Sequence, residues 1–449
     1  MRFLFTRLLN RSNLLKAHLY LALSFGLFFS LIGLSGSLSI YRTDIDLLLN
    51  PELIITNPHG NYQTLDKIYA AVKAAHPHKT GSWTLEMPQS PNGMITAWFE
   101  KPSETFFQLY APLMVSVNPY TAEVVSSRFW GNTFTTWLLN IHTQLNMENF
   151  GWGLVGMLGI ALLSSCLTGL YLWWPSFNTI KEILKFRPHN GIMLLAFDIH
   201  RWLGLLSSIT LIVLACTGFL LSYPSILETF SGSSGMEHGQ TGRTIISTAI
   251  PNNHPTGLSA ATFVAQGPFP KAQLRRVTTP AGDTGVYKIN LRQNSEVNHR
   301  HPYTTVWVDQ WSGQIKEVRN PTLFSRGEIF ASLIWPLHTG EALGPSGRLI
   351  WFLSGISVFL LYVTGILRWL CKTGKLRDKK IQYANLTRLN TKIKTQSVNF
   401  INRLYTYSIN LIEKITPYLS QIVVDILKTL KNIIINHTLH VIKGMQGKK

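Results

Sequence analysis

Four long uncharged stretches constrain this chain more than anything else in it, and each is tied to a histidine. From Trp202 to Tyr223 no residue carries a charge. At about 1.5 Å of rise per residue that run makes roughly 33 Å of helix, enough to cross a hydrocarbon layer. It follows His200 in Asp198-Ile199-His200-Arg201-Trp202-Leu203-Gly204 and contains Thr217-Gly218. The arrangement recurs. His18 precedes Gly36 by eighteen residues, and His200 precedes Gly218 by the same eighteen. His142 precedes Gly169 by twenty-seven residues, and His338 precedes Gly365 by twenty-seven. Four apolar helices, each with one histidine upstream and falling into two matched pairs, read as an internal duplication. Membrane spans are predicted over 17–41, 151–174, 199–223 and 349–370. The first invites a second reading, as a signal peptide cut near Ser35-Gly36-Ser37. Its 25 uncharged residues exceed a usual signal core and three spans follow, so retention is expected.

Charge sets the expected orientation. Only 14% of residues are charged, and the net +19 is unevenly placed. Residues 1–17 carry +4, residues 175–197 carry +2 and residues 368–449 carry +13, whereas 42–151 and 224–348 come to −3 and +3. Three basic pieces alternating with two near-neutral ones is the positive-inside pattern. It predicts an inner-membrane protein with both termini cytoplasmic and two exported segments. The basic residues flank apolar runs and form no folded face, which excludes nucleic acid as a partner. The cysteines, Cys166, Cys216 and Cys371, show no metal-ligand spacing and no Cys-x-x-Cys-His, so covalent haem attachment is excluded and an iron–sulfur cluster disfavoured.

Between the spans, residues 1–16 form a basic arm and 175–197 a short cytoplasmic loop. Residues 52–132 read as a small exported α+β unit: a helix over Leu65–Ala75 behind Thr64, strands near 94–99, 106–110 and 114–117, then the turn Asn118-Pro119-Tyr120-Thr121 and another strand. Residues 224–322 begin with a Gly/Ser-rich loop and continue as a second such unit, in which Val306–Ile315 lines up with Val115–Val124. Short helices are predicted before the second and fourth spans, at 134–147 and 328–339, with breaks at 148–153 and 340–347. The tail, 371–449, places Leu419, Ile422, Val423, Ile426, Leu427 and Leu430 on one helical face among basic residues. That suits an amphipathic helix on an anionic leaflet, or a coiled partner helix.

This topology sorts the histidines. His18 and His200 start helices on the cytoplasmic side, whereas His142 and His338 precede helices on the outer side. Each pair is what bis-histidine ligation of one planar macrocycle requires, so the expected cofactors are two b-type haems. A continuous helix of twenty-seven residues would be roughly 40 Å long, more than the bilayer core. His142 and His338 are therefore expected on short helices folded against the outer surface. The paired glycines are expected to admit a porphyrin edge or to let helices pack closely. Arg201 is a candidate partner for a haem propionate, or a headgroup anchor. Of the other histidines, those in His299-Arg300-His301 are the best placed for an outer substrate contact. No nucleotide-binding fingerprint is present, so electrons must come from another protein or from quinol.

These residues carry a family resemblance. His18–Pro51 with Gly36-Ser37 and Asp44-Ile45-Asp46-Leu47, Ile141-His142, His200-Arg201-Trp202-Leu203-Gly204-Leu205, and Leu337-His338-Thr339-Gly340 with Gly344 and Gly347 resemble PepSY-associated transmembrane proteins over roughly residues 15–372. The two α+β units resemble PepSY domains. Val308-Asp309 and Ser312-Gly313 match the closing hairpin, while Asn118 and Ala122 stand where Asp and Gly are usual. The first helix has His18-Leu19-Tyr20 where His-Arg-Trp is usual. The resemblance implies a membrane protein built as a four-helix bundle with two periplasmic PepSY-like domains and a basic helical tail. It also implies reduction of a ferric siderophore on the periplasmic face. A haem-free membrane anchor that binds peptides or regulates a protease, and a permease for an iron chelate, are the alternatives.

Overall fold

The computed structural model describes residues 10–173, 191–232, 245–250 and 252–376. The amphipathic helix expected in the tail, most of the 175–197 loop and residues 1–9 of the basic arm lie outside these residues.

The chain runs through one series of elements twice. The first series is α1 (Arg11–Ile40), α2 (Arg42–Leu49), α3 (Leu65–Ala75), β1 (Thr84–Glu86), β2 (Ile95–Phe99), β3 (Leu113–Val117), β4 (Val124–Phe129), α4 (Phe134–Gln144) and α5 (Glu148–Trp173). The second is α6 (Ile192–Ser222), α7 (Pro224–Ser231), α8 (Leu258–Gln266), β5 (Gln273–Thr278), β6 (Val286–Arg292), β7 (Thr305–Asp309), β8 (Ile315–Arg319), α9 (Arg326–Thr339) and α10 (Gly344–Lys372). Helix α1 starts six residues before the predicted span, because Asn10 caps it by accepting from the Ser12 N–H at 2.7 Å.

Helices α1, α5, α6 and α10 are long and apolar enough to cross a membrane. Each packs on two neighbours: α1 and α6 both lie against α5 and α10, which puts α1 diagonally across from α6. Apolar burial does little to draw helices together in lipid, so close approach at small residues and hydrogen bonds between helices do the work. A side chain at Gly33 of α1 would strike the Gly355 carbonyl of α10, and Ser37 donates to the Phe352 carbonyl at 2.8 Å. Phe29, Leu158, Leu211 and Val358, one from each span, fill the middle of the bundle.

Helices α4 and α9 fold back onto the ends of the spans. Between α4 and α5 the chain turns at Leu145 and Asn146, with φ of 50° and 54°. Between α9 and α10 it turns at Gly340 and Gly344, with φ of 78° and 63°. Both turns are tighter than the predicted breaks, since α5 is already helical at Glu148 and α10 at Gly344. Gly151 and Gly347 lie inside the first helical turns and serve close approach instead. A Cβ at Gly151 would overlap the Gln144 carbonyl, and one at Gly347 the Gly340 carbonyl.

The two α+β units do not stand apart. Their strands form one antiparallel sheet in the order β4-β3-β2-β1-β5-β6-β7-β8. The seam is β1 on β5, with Leu85 opposite Val277 and Glu86 opposite Arg276. A three-residue strand such as β1 has too little of its own to end a sheet, and pairing with its counterpart removes both open edges. One face carries α3 and α8 over a common core that includes Ile68, Leu85, Val115, Val277, Ile289 and Val306. The helices are also linked directly: the Asp66 carboxylate of α3 accepts the N–H groups of Leu258 and Ser259 at 2.6 and 3.0 Å, capping α8, whose own N-cap residue is Gly257. The other face is polar and is met by α2, where Arg128 of β4 pairs with Asp46 through two hydrogen bonds of 3.0 and 2.9 Å.

Candidate functional site

The fold brings the four sequence-selected histidines together in the expected pairs. His18 and His200 meet across the bundle diagonal at the end far from the sheet, with ring centroids 6.2 Å apart and planes crossed at 87°. His142 of α4 and His338 of α9 meet at the sheet end, with centroids 6.0 Å apart and planes inclined at 40°. The short helices exist to make this second contact, since a straight continuation of α5 or α10 would carry the histidine past the bundle.

Each ring has the same receptor. His18 Nδ1 donates to the Ser165 carbonyl and lies by the Thr168 hydroxyl, both at 3.1 Å. His200 Nδ1 meets the Leu361 carbonyl at 2.9 Å and the Thr364 hydroxyl at 3.1 Å. His142 Nδ1 donates to the Ile32 carbonyl at 2.9 Å. His338 Nδ1 donates to the Thr217 hydroxyl oxygen at 2.9 Å, the hydroxyl proton being given to the Val213 carbonyl, and to the Leu214 carbonyl. In every case the ring lies over a glycine one residue beyond a Ser or Thr and four beyond the carbonyl: Gly169, Gly365, Gly36 and Gly218. A Cβ there would come within 2.5 Å of His142, 3.1 Å of His338, 3.2 Å of His18 and 3.5 Å of His200.

The hydrogen bonds decide the tautomer. A carbonyl can only accept, so Nδ1 carries the proton and Nε2 keeps its lone pair. No described residue bonds Nε2 of any of the four. Burial, and for His338 the neighbouring His142, hold the imidazoles of the sheet-end pair neutral; His338 is pushed down to about 3. Neutral imidazole with one nitrogen tied to a carbonyl and the other free is the form that ligates a metal.

The donor set fits a macrocycle. Among the described residues no three His, Cys, Asp or Glu side chains converge as a free ion would need. The histidines come in twos, which suits a ring that supplies its own equatorial nitrogens. Two imidazoles on opposite sides of one metal, with roughly 2 Å from metal to each nitrogen, have centroids about 6 Å apart. Both pairs match.

A family model for the PepSY-associated TM region matches residues 15–372. The chain belongs to that family. No curated protein matches it. The stretch matching the PepSY-associated TM region takes in all four spans, the sheet and both histidine pairs, and leaves the tail outside.

Three placements bear on the sequence reading. The glycines, expected to admit a porphyrin edge or to let helices pack closely, lie under the histidine rings: His18 on Gly169 and His142 on Gly36. Spacing along one helix reports the repeat, whereas the receptor glycine belongs to the neighbouring span. Arg201 reaches Asp198 on its own helix at 3.4 Å, and Asp198 is fully buried. In the His299–His301 segment, His301 packs edge-on against Trp335 of α9 at 5.1 Å, and Arg300 donates to the Thr43 hydroxyl at 3.1 Å. Thr168, Thr217 and Thr364 are hydrogen-bond partners of the rings that spacing did not reveal. The signal for them was the repeated Thr-Gly dipeptide.

Proposed function

We propose that this chain is a haem-b-containing electron-transfer protein of the bacterial inner membrane, which reduces a ferric siderophore on the sheet side, the periplasmic one, for iron acquisition. His18 and His200 would hold one haem and His142 and His338 the other. Held there, each haem would supply one-electron redox chemistry. The chain's own part is positioning. Carbonyls of Ser165, Leu361, Ile32 and Leu214 lock each ring's orientation and raise its basicity, as outer partners of metal ligands do. With two histidines holding each group, the chemistry supplied would be electron exchange rather than oxygen chemistry. Phe29, Leu158, Leu211 and Val358 exclude water between the two sites. The donor is a cytoplasmic protein or quinol.

The observation that carries this reading is the pair of 6.2 and 6.0 Å imidazole separations, each with Nδ1 tied to a carbonyl. Pyridine haemochrome analysis of protein made under haem-replete conditions is expected to give about two b-type haems per chain, both released by acid acetone because no cysteine attaches them. The dithionite-reduced protein is then expected to reoxidise on adding ferric siderophore, with ferrous iron captured by a colorimetric chelator. Folded protein without haem would overturn the proposal.

A further inference from the structure

Between the sheet's polar face and the His142–His338 end of the bundle, arginines converge from four separate parts of the chain. Arg276 comes from β5 at the seam and pairs with Glu86 at 3.0 Å. Arg42 opens α2 and lies over Trp130 at 5.1 Å. Arg300 reaches in from the β6–β7 connection, anchored on Thr43. Arg348, from the first turn of α10, donates to the Ile40 carbonyl at 2.7 Å and stands 3.5 Å from Asp44. Arg275 is buried beside them. The location is fixed by the histidine site: Glu341 follows His338 by three residues, and Ile40 follows Gly36, the glycine under His142, by four.

The charges do not balance. Five guanidinium groups and the Lys288 ammonium face the carboxylates of Glu86, Glu100, Asp44 and Glu341. Neither Arg42 nor Arg300 is in an ion pair among the described residues. Burial, reinforced by Arg300, pushes Arg42 down to about 9, while burial holds the Glu341 carboxyl above its ordinary range despite three nearby arginines. One Glu341 carboxylate oxygen is buried with no hydrogen-bond partner. Arg42 and Arg300 are half-buried and open in part to solvent, so their unneutralised charge is within reach of an anion arriving from outside. A guanidinium fork matches a carboxylate in plane and spacing.

We propose that Arg42, Arg276, Arg300 and Arg348 form a carboxylate-binding chamber over the sheet-end histidine pair, which takes a multiply charged carboxylate ligand. Resting on the reading above, two sources share this chemistry: the propionates of a haem held by His142 and His338, and a carboxylate-rich ferric chelate arriving from the sheet side.

The test uses the full chain and the variants Arg42→Gln, Arg300→Gln and their double, with Arg42→Lys as the charge-keeping control. Gallium citrate, which cannot be reduced, is titrated calorimetrically, and haem content and redox midpoint are measured separately. If the chelate is the ligand, each glutamine weakens gallium citrate binding by roughly tenfold, added salt weakens the wild type, and haem content is unchanged. A neutral gallium hydroxamate serves as the insensitive control. If the propionates are the ligand, gallium citrate affinity does not respond, and the double variant loses the sheet-end haem or lowers its midpoint. Unchanged citrate binding together with unchanged haem content and midpoint would overturn the chamber. Absence of haem from the wild type would overturn the function above, and citrate binding would still test the chamber.

Discussion

At the scale of single residues, the site is built as much from glycines as from histidines. A Cβ on Gly36 would overlap the His142 ring at 2.5 Å, whereas one on Gly365 would stand 3.5 Å from His200, an ordinary contact. On the proposed haem reading, Gly36→Ala is therefore expected to displace His142 and cost the sheet-end site most of its haem, while Gly365→Ala leaves the other site nearly full. Haem content and the reduced spectrum of the two variants check this order, and equal losses would contradict it. A glycine of a different kind is Gly313, at φ 68° in the β7–β8 turn, where Asp309 accepts the N–H groups of Trp311 and Ser312. Its counterpart in the first repeat is Ala122, which takes φ 61° despite its methyl group. Gly313→Ala is expected to destabilise the sheet by about 1 kcal/mol, since an L-residue in the left-handed region costs roughly that much. Denaturant unfolding followed by tryptophan fluorescence measures it. The Asn118 and Ala122 that departed from the family pattern thus keep the turn and change only its strain.

At the scale of elements, the two repeats are joined by capping as well as by strand pairing. Helix α8 begins at a glycine with no side chain to cap it, and Asp66 of α3 supplies the acceptor from the other repeat. Asp66→Ala is expected to cost about 1 kcal/mol, the usual worth of an N-cap. The effect should be pH-dependent. Burial raises the Asp66 carboxyl, but hydrogen bonds from residues 258 and 259 outweigh it and hold the pKa below its ordinary value. The unfolded chain then binds the proton more readily. The cap's contribution is full above an unfolded carboxylate pKa of about 3.9 and is lost as pH falls through the lowered folded value. Wild type and variant should accordingly differ near neutrality and converge in strong acid; a constant difference would assign the loss to packing. The duplication extends to defects in regularity, since the register shifts at Ser116/Val117 and Trp307/Val308 fall at equivalent places in β3 and β7.

For the whole molecule, the two histidine pairs sit at opposite ends of one bundle, and this separation makes their roles testable apart. If each pair holds a haem as proposed, His200→Ala is expected to remove the inner haem, stop reduction by a cytoplasmic donor and spare the outer haem. His338→Ala is expected to leave an inner haem that still accepts electrons while ferric-siderophore reduction is lost. Each variant's remaining haem spectrum reports whether the bundle is intact. Loss of both haems from a folded single variant would remove the case for two independent sites. Orientation is checked by reporter fusions: those at Asn92 and Asn294 should be exported and one at Asn190 retained in the cytoplasm. An exported reporter at Asn190 would invert the assignment of inner and outer sites.

Hydrophobic runs, charge placement and equal histidine spacing are one-dimensional quantities. They were enough to establish four spans, the duplication, the two-by-two grouping of His18 with His200 and of His142 with His338, and the short helices that carry the second pair. Three matters belong to the tertiary structure alone. The carbonyl and glycine that receive each histidine lie on another helix, because helix packing, not chain distance, decides what a ring touches. The two α+β units fuse through β1 and β5, since two short edge strands satisfy their backbone groups only by pairing with each other. The arginine chamber draws on Arg42, Arg276, Arg300 and Arg348, spread over some three hundred residues with no shared motif. Only the fold of the sheet onto the bundle brings those charges within reach of one another.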